Sequence, residues 1–230
     1  TPPFDYLYST VHPEITARAL LRIAPAGIKR AVLFTSTSIL TKSDSEVEFE
    51  RLSLRRLAEG ERQFIAACDA HHIEWTVLRP TIIYSEGLDV NVTRIHNVIK
   101  RFGFFPLSGS ASGLRQPVHA ADLAIGAIAA AASSAAANKI YAVPGKETLS
   151  YREMTGRIFD GMGKPRRLIS LPPALWRFAF ICARPLIPDA NPAMGTRMSK
   201  DMVFDGSAAT RDFGWNPREF HPNFKSSRFT

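Results

Sequence analysis

The chain has 230 residues, 45% of them hydrophobic, and carries a formal net charge of +8 at pH 7. This length fits one domain, or one domain with a small lobe, and no apolar run reaches the ~18 residues that a membrane-spanning helix needs. The positive charge comes without zinc-finger spacing, a basic zipper or an RNP-like aromatic motif, so nucleic acid is not an expected partner.

Short β-branched and aromatic runs alternate with longer helical patterns, which is typical of a parallel α/β sheet. The pattern predicts strands near residues 4–10, 30–36, 74–79 and 139–143, and helices near residues 13–24, 50–71, 90–102 and 120–133. The helix at 50–71 has one apolar stripe opposite its arginines and glutamates, and we expect that stripe to pack on the sheet.

The pattern changes after residue 143 to short helices broken by proline and glycine. Ser150 and Glu153 have capping-box spacing, which predicts a helix that continues to about Met162. Residues 171–184 predict a short apolar helix in the core of a lobe, with contact to a membrane surface as the alternative. Residues 143–230 contain 14 Lys and Arg against 8 Asp and Glu, which favours either an anionic ligand such as a sugar diphosphate or a generally basic surface.

Four segments stand out along the chain, at residues 26–38, 73–84, 114–124 and 212–217. In this order they resemble motifs of the extended and atypical short-chain dehydrogenase/reductase superfamily, which includes the nucleotide-sugar epimerases and dehydratases. The resemblance implies an α/β fold, a Rossmann-type doubly wound parallel sheet with a small, mostly helical C-terminal substrate lobe. It further implies that residues 1–142 are the C-terminal part of an NAD(P)-binding domain and that residues 143–230 are the substrate lobe.

The family's phosphate-binding turn is not found in the sequence. None of the 14 glycines forms a GxxGxxG or GxGxxG pattern, the turn whose backbone amides approach the cofactor pyrophosphate at a helix N-terminus. Residues 4–11 resemble the family's fourth strand. The resemblance therefore predicts that the first strands, about two βαβ steps, are missing from this chain, although NAD or NADP remains the implied cofactor.

The family's catalytic tyrosine and lysine are also not found. The resemblance places them eight and four residues before Glu61, where this chain has Ser53 and Leu57. Residues 41–70 contain no tyrosine, and their only lysine is Lys42. A serine cannot replace a phenol as an acid near neutral pH, and leucine cannot lower the pKa of a neighbour. The sequence thus predicts a degenerate Tyr/Lys active site.

The remaining site residues are implied by the same resemblance. Thr37 matches the catalytic hydroxyl, and the residues expected near the cofactor are Thr35, Ser36, Pro80, Thr81 and Ile82. Asn91 and Arg115 match substrate-binding positions, and a guanidinium suits phosphate oxygens. Alternatively, the hydroxyls cap a strand end and Pro80 only terminates a strand. We expect His119 and Asp122 to brace a loop and cap the following helix, and we expect no metal site.

Two functions remain open from the sequence. The favoured one is an NAD(P)-dependent nucleotide-sugar epimerase/dehydratase-like protein that takes a nucleotide sugar or another anionic small molecule. The alternative is a catalytically silent NAD(P)-binding or scaffold protein. Two cysteines without metal-ligand spacing indicate reduced thiols and a cytoplasmic location, and a homodimer is a further expectation.

Overall fold

The computed structural model describes residues 4–23, 27–41, 48–172, 174–176 and 193–224. In chain order the strands of this described part are β1 (Tyr6–Ser9), β2 (Arg30–Phe34), β3 (Glu74–Pro80), β4 (Ile83–Tyr84), β5 (Phe105–Ser108), β6 (Leu114–Arg115), β7 (Val118–His119), β8 (Lys139–Val143), β9 (Leu149–Ser150) and β10 (Leu168–Leu171). Its helices are α1 (Pro13–Ile23), α2 (Ser38–Thr41), α3 (Glu48–Ala70), α4 (Val92–Phe102), α5 (Ala120–Ala132), α6 (Tyr151–Gly161), α7 (Ala193–Arg197) and α8 (Ser207–Phe213).

The chain divides into two compact units that interleave along the sequence. The first unit takes residues 1–81, 121–144 and 204–217, and the second takes residues 82–120, 145–203 and 218–230. The expected division by ligand, with residues 1–142 binding the cofactor and residues 143–230 the substrate, stays a prediction, because compactness does not report which residues bind a ligand.

A four-stranded parallel sheet forms the centre of the first unit. Its strand order is β1-β2-β3-β8, and Leu33 of β2 lies beside Val77 of β3. Alternate residues of a strand point to opposite faces. Ala31 and Leu33 therefore face one layer, where Leu20 of α1 and Phe64 of α3 complete a buried cluster.

Helices α1 and α3 approach each other closely because α3 has a glycine at the contact. A Cβ atom at Gly60 would lie 2.7 Å from the backbone nitrogen of Glu14, so any larger residue would push the helices apart. The apolar stripe predicted for residues 50–71 is found on α3, where Phe64, Ala67 and Cys68 are buried.

The other face of the sheet is covered by α5. Arg30, one position from Ala31 and so on the opposite face, donates from Nη2 to the carbonyl oxygens of Ala130 at the end of α5 and of Ser133 beyond it. Its guanidinium also forms an ion pair with Glu74. Helices therefore lie on both faces of a parallel sheet, and the predicted Rossmann-type α/β fold is confirmed.

In the described part of the second unit, pairs of short strands are combined with the helices α4, α6 and α7. β5 pairs with β10 and β4 with β7 in parallel, whereas β6 pairs with β9 antiparallel. The buried cluster of this unit includes Ile99 of α4, Ile158 of α6 and Met198 after α7. Ser150 caps α6 as predicted, because its hydroxyl oxygen accepts from the backbone nitrogen of Glu153 at 3.0 Å.

Each of the eight strands and helices predicted up to residue 143 is present, with ends within two residues of those expected. The apolar helix predicted at residues 171–184 lies largely outside the described residues, although residues 174–176 are helical. Among the helices that are described, none is both long enough and apolar enough to cross a membrane.

Candidate functional site

The carboxyl ends of β2 and β3 bring together most of the residues predicted to contact the cofactor. The backbone pairing continues past β2, since the nitrogen of Thr35 donates to the oxygen of Leu78 at 2.9 Å and that of Thr37 to the oxygen of Pro80 at 3.1 Å. Thr35, Ser36 and Thr81 are partly exposed. Partly exposed hydroxyls are thus found at the strand ends where open α/β sheets bind their ligands.

Thr37 is buried at this edge. Its hydroxyl donates to the carbonyl oxygen of Pro80 at 3.0 Å, which ties the segment after β2 to the end of β3. The hydroxyl oxygen can still accept a hydrogen bond, and the catalytic role implied for Thr37 stays a prediction. The same contact agrees with the alternative prediction, in which these hydroxyls cap a strand end by bonding to nearby backbone.

Glu61 of α3 connects the two strand ends. The carboxylate is buried, accepts from the Thr35 hydroxyl at 2.9 Å and from Arg79 Nε at 3.1 Å, and receives a second bond from Arg79 Nη2. This two-pronged geometry is the strongest form of an arginine–carboxylate contact. Counting back from Arg79 also places the family's tyrosine and lysine positions at Ser53 and Leu57, and this register stays a prediction.

The positions at which the resemblance predicts a tyrosine and a lysine lie two turns and one turn, respectively, before Glu61 on α3. Ser53 is exposed and Leu57 is half-buried, and the whole of α3 contains neither tyrosine nor lysine. Helix α3 therefore supplies neither a phenol nor an ammonium group.

In the second unit, Ile82 and Asn91 lie near the short β4–β7 pair. The nitrogen of Val118 donates to the oxygen of Ile82 at 3.0 Å, and Asn91 Nδ2 donates to the oxygen of Ile83 at 3.3 Å. Asn91 is exposed at the start of α4, but Asp89 is the residue that caps this helix, because its Oδ1 accepts from the nitrogen of Val92 at 2.6 Å.

Arg115 has protein partners for most of its donors. Its Nη1 donates to the oxygens of Leu114 and Lys200, both at 2.7 Å, and Nη2 donates to the oxygen of Arg197 at 2.5 Å. The guanidinium lies 5.6 Å from the centre of the Tyr151 ring. Burial lowers the pKa of Arg115 and raises that of Tyr151 to about 12. The observed contacts hold the 197–200 segment, and binding of a diphosphate stays a prediction.

His119 braces the loop after β4, as expected from the sequence. Its Nε2 lies 3.4 Å from a carboxylate oxygen of Glu86, and its ring meets that of Tyr84 edge-on with centroids 5.0 Å apart. Glu86 also accepts from the nitrogen of Asn223 at 3.0 Å. The partners of His119 were not predicted, because they lie 33 and 35 residues earlier in the chain.

Residues 212–217, the last of the four segments that resemble family motifs, pack on α5 through Trp215. Trp215 Nε1 donates to the oxygen of Pro144 at 2.9 Å, and a Cβ atom at Gly126 would lie 2.4 Å from the indole ring. A groove of about 90 Å³ remains beside this contact, lined by Asp122, Ile125, Gly126, Ala129, Phe213, Gly214, Trp215 and Asn216. Pockets for drug-sized ligands are roughly 300–1,000 Å³, so this groove is too small for a dinucleotide.

Comparisons with known proteins bear on the sequence and the fold of the chain. No protein-family model matches the chain. A UDP-glucose 4-epimerase from Vibrio cholerae is 20% identical over 222 residues, which are 92% of this chain and 65% of the relative. The chain thus spans about two thirds of the length of that relative.

Solved structures show the same likeness. A UDP-glucuronic acid 4-epimerase from Bacillus cereus, in complex with UDP-glucuronic acid and NAD, has a TM-score of 0.65 at 15% identity, covering 91% of this chain and 63% of that one. A dTDP-glucose 4,6-dehydratase double mutant from Streptomyces venezuelae, with NAD bound, has a TM-score of 0.60 at 18% identity, covering 95% and 70%. The chain has the fold of the nucleotide-sugar epimerases and dehydratases. The resemblance that the sequence motifs indicated is confirmed at the level of the fold.

Proposed function

We propose that this chain forms the nicotinamide end of the cofactor site and the substrate unit of an NAD(P)-dependent nucleotide-sugar epimerase/dehydratase-like protein with a degenerate Tyr/Lys pair. The observation that carries this proposal is the edge at which Thr35, Ser36 and Thr37 follow β2 and Pro80 ends β3. The likeness to an epimerase and a dehydratase whose structures contain NAD supports it.

The residues at this edge fit one end of a cofactor. Partly exposed hydroxyls and backbone groups lie at the carboxyl ends of parallel strands, and Glu61 fixes both strand ends through Thr35 and Arg79. A bound nicotinamide would supply hydride transfer to and from a sugar carbon. Thr35, Ser36, Pro80, Thr81 and Ile82 would position that ring, and the oxygen of Thr37 would accept a hydrogen bond from the reacting hydroxyl.

The proton must be moved by a group other than the residues on α3. With Ser53 and Leu57 at the usual positions, neither a tyrosinate nor an ammonium group is supplied from this helix. The same observation favours the second candidate function, a catalytically silent NAD(P)-binding or scaffold protein. Both candidate functions include nucleotide-sugar binding through Asn91 and Arg115.

Thr37 and Ser53 separate these possibilities experimentally. If the protein is an enzyme, Thr37→Val should abolish turnover of UDP- or dTDP-sugars, whereas Ser53→Ala should leave it nearly unchanged because a serine hydroxyl is not an acid near neutral pH. Turnover is followed by separation of the sugar nucleotides, and folding is checked by thermal melting.

Three outcomes are informative. A large loss in Ser53→Ala contradicts the register on α3. Binding of NAD(P) and sugar nucleotides without turnover selects the silent candidate. A well-folded chain that binds neither sugar nucleotides nor NAD(P) at any tested concentration contradicts the proposal as a whole.

A further inference from the structure

Three side chains with metal-ligand chemistry converge in the second unit. Glu147, Glu219 and His221 each offer one ligand atom, and these atoms all lie within 4.8 Å of one another. Two carboxylate oxygens and an imidazole nitrogen form a donor set that suits zinc and similar divalent transition metals. The geometry points to a divalent-metal site of the zinc class formed by Glu147, Glu219 and His221.

Glu219 and His221 are fixed by the residue between them. The Phe220 side chain is buried, with 1% of its surface exposed, while the side chains of Glu219 and His221 are 53% and 69% exposed. The nitrogen of Phe220 donates to Glu147 Oε2 at 2.8 Å. One buried anchor therefore holds both outer ligands beside the third.

The described groups that hold Glu147 both bond to one of its carboxylate oxygens, Oε2. Arg157 Nη1 donates to the same Oε2 atom at 2.7 Å, and Arg157 also faces Glu153 with Nε at 3.4 Å. Hydrogen bonds that orient ligating carboxylates are a regular feature of protein metal sites. Because Arg157 Nη1 and the nitrogen of Phe220 both donate to Oε2, Oε1 is the atom that Glu147 would present to the metal.

The imidazole determines which metals fit. Magnesium and calcium prefer sites made of oxygen ligands, whereas an imidazole favours zinc and its neighbours. His221 Nε2 lies 3.4 Å from Glu219 Oε2, close to the ligand separation around a metal bonded at about 2.0–2.2 Å to each atom. With three protein ligands, a tetrahedral ion keeps one position for water. The site is independent of the nicotinamide chemistry proposed above.

Calorimetric titration of the metal-free chain with ZnCl₂ tests the site. We expect one zinc per chain at this position, and His221→Ala and Glu219→Gln should each weaken it by at least about tenfold. The matched controls are His71→Ala and Glu59→Gln, which remove an exposed imidazole and an exposed carboxylate from the first unit. Zinc should also raise the melting temperature of the wild type and not that of His221→Ala.

The same titrations contain the results that would overturn the inference. The site does not exist if the wild type shows no saturable zinc binding, or if well-folded His221→Ala and Glu219→Gln chains bind zinc as the wild type does. Binding of MgCl₂ as tight as that of ZnCl₂ would show a diffuse attraction to carboxylates without a role for the imidazole.

Discussion

At the scale of single residues, Arg115 has a guanidinium whose donors bond to backbone carbonyl oxygens of the fold. The sequence favours a diphosphate ligand, whereas the structure directs its Nη1 and Nη2 donors to the oxygens of Leu114, Lys200 and Arg197. Both uses depend on the planar fork of donors, which lysine cannot reproduce. A substitution therefore has to be examined for stability and for ligand affinity separately.

We expect Arg115→Ala to lower the free energy of unfolding by about 2–4 kcal/mol, because three carbonyl oxygens lose a charged donor and a cavity replaces the buried side chain. Arg115→Lys should recover only part of this loss. Urea unfolding measures the effect, and calorimetry with UDP- and dTDP-sugars on the folded fraction measures the affinity. Unchanged stability in Arg115→Ala would mean that the observed carbonyl contacts do not hold the 197–200 segment.

Glu61 is the second informative residue, because its carboxylate is buried against Arg79 and Thr35. We expect Glu61→Gln to cost about 3–5 kcal/mol of folding free energy, since the change leaves the Arg79 charge without its counter-charge. Glu59→Gln, on the exposed side of α3, should leave the unfolding transition nearly where it is. The decisive comparison is the double variant Glu61→Leu with Arg79→Met, which should be more stable than Glu61→Gln if the uncompensated charge is the cause.

At the scale of elements, α8 is joined to β8 through one carboxylate. Asp212 accepts from Lys139 Nζ at 2.9 Å and from the Tyr141 hydroxyl at 2.7 Å. The hydrogen bond from Lys139 and then that from Tyr141 lower the pKa of Asp212 to about 2, from an ordinary value of 3.8. These contacts hold the end of a seven-residue helix against the sheet edge.

The pH dependence of this contact has a definite sign. Because the folded-state pKa of Asp212 is below the unfolded value, its contribution to stability is complete above about pH 4 and is lost as the pH falls toward 2. Asp212→Asn should therefore be less stable than the wild type at pH 7, and the difference should shrink between pH 4 and pH 3. Urea midpoints at these three values test this, and a difference that grows on acidification would contradict the assigned contacts.

The sequence pattern predicts the elements of the first unit well because each has a strong local period. β2 and β3 are apolar runs, and α3 has apolar residues at helical spacing, of which Phe64, Ala67 and Cys68 are buried, so no distant contact is needed to specify these elements. β4, β6, β7 and β9 have two residues each, and β4–β7 and β6–β9 pair residues 34 to 36 apart, which no local pattern reveals.

The same contrast between local patterns and distant contacts applies to the candidate functional residues. Thr35, Ser36, Thr37 and Pro80 lie at or just beyond the ends of strands that the sequence predicts, so their meeting at one sheet edge could be expected. The partners of Arg115 lie 82 and 85 residues later, and Glu147 lies 72 residues before Glu219. Contacts of this kind are set by tertiary packing, and only the structure brings them together.

At the scale of the whole molecule, the proposed cofactor site raises the question of how the pyrophosphate would be held. The strand ends proposed to hold a nicotinamide are those of β2 and β3, and the 14 glycines of the sequence include no GxxGxxG or GxGxxG turn. In dinucleotide-binding folds that turn and the following helix N-terminus hold the pyrophosphate, which carries most of the ligand's charge.

We therefore expect these 230 residues to bind NAD(H) and NADP(H) weakly, with dissociation constants in the millimolar range, about −4 kcal/mol. Nicotinamide mononucleotide should bind about as well as NAD, because the adenosine half would find no dedicated contacts. Thr37→Val should weaken both to the same degree, since it acts only at the nicotinamide end. Calorimetric titrations at fixed ionic strength make the comparison. Micromolar affinity for NAD with much weaker mononucleotide binding would contradict this account, because it would require a pyrophosphate site formed without the glycine-rich turn.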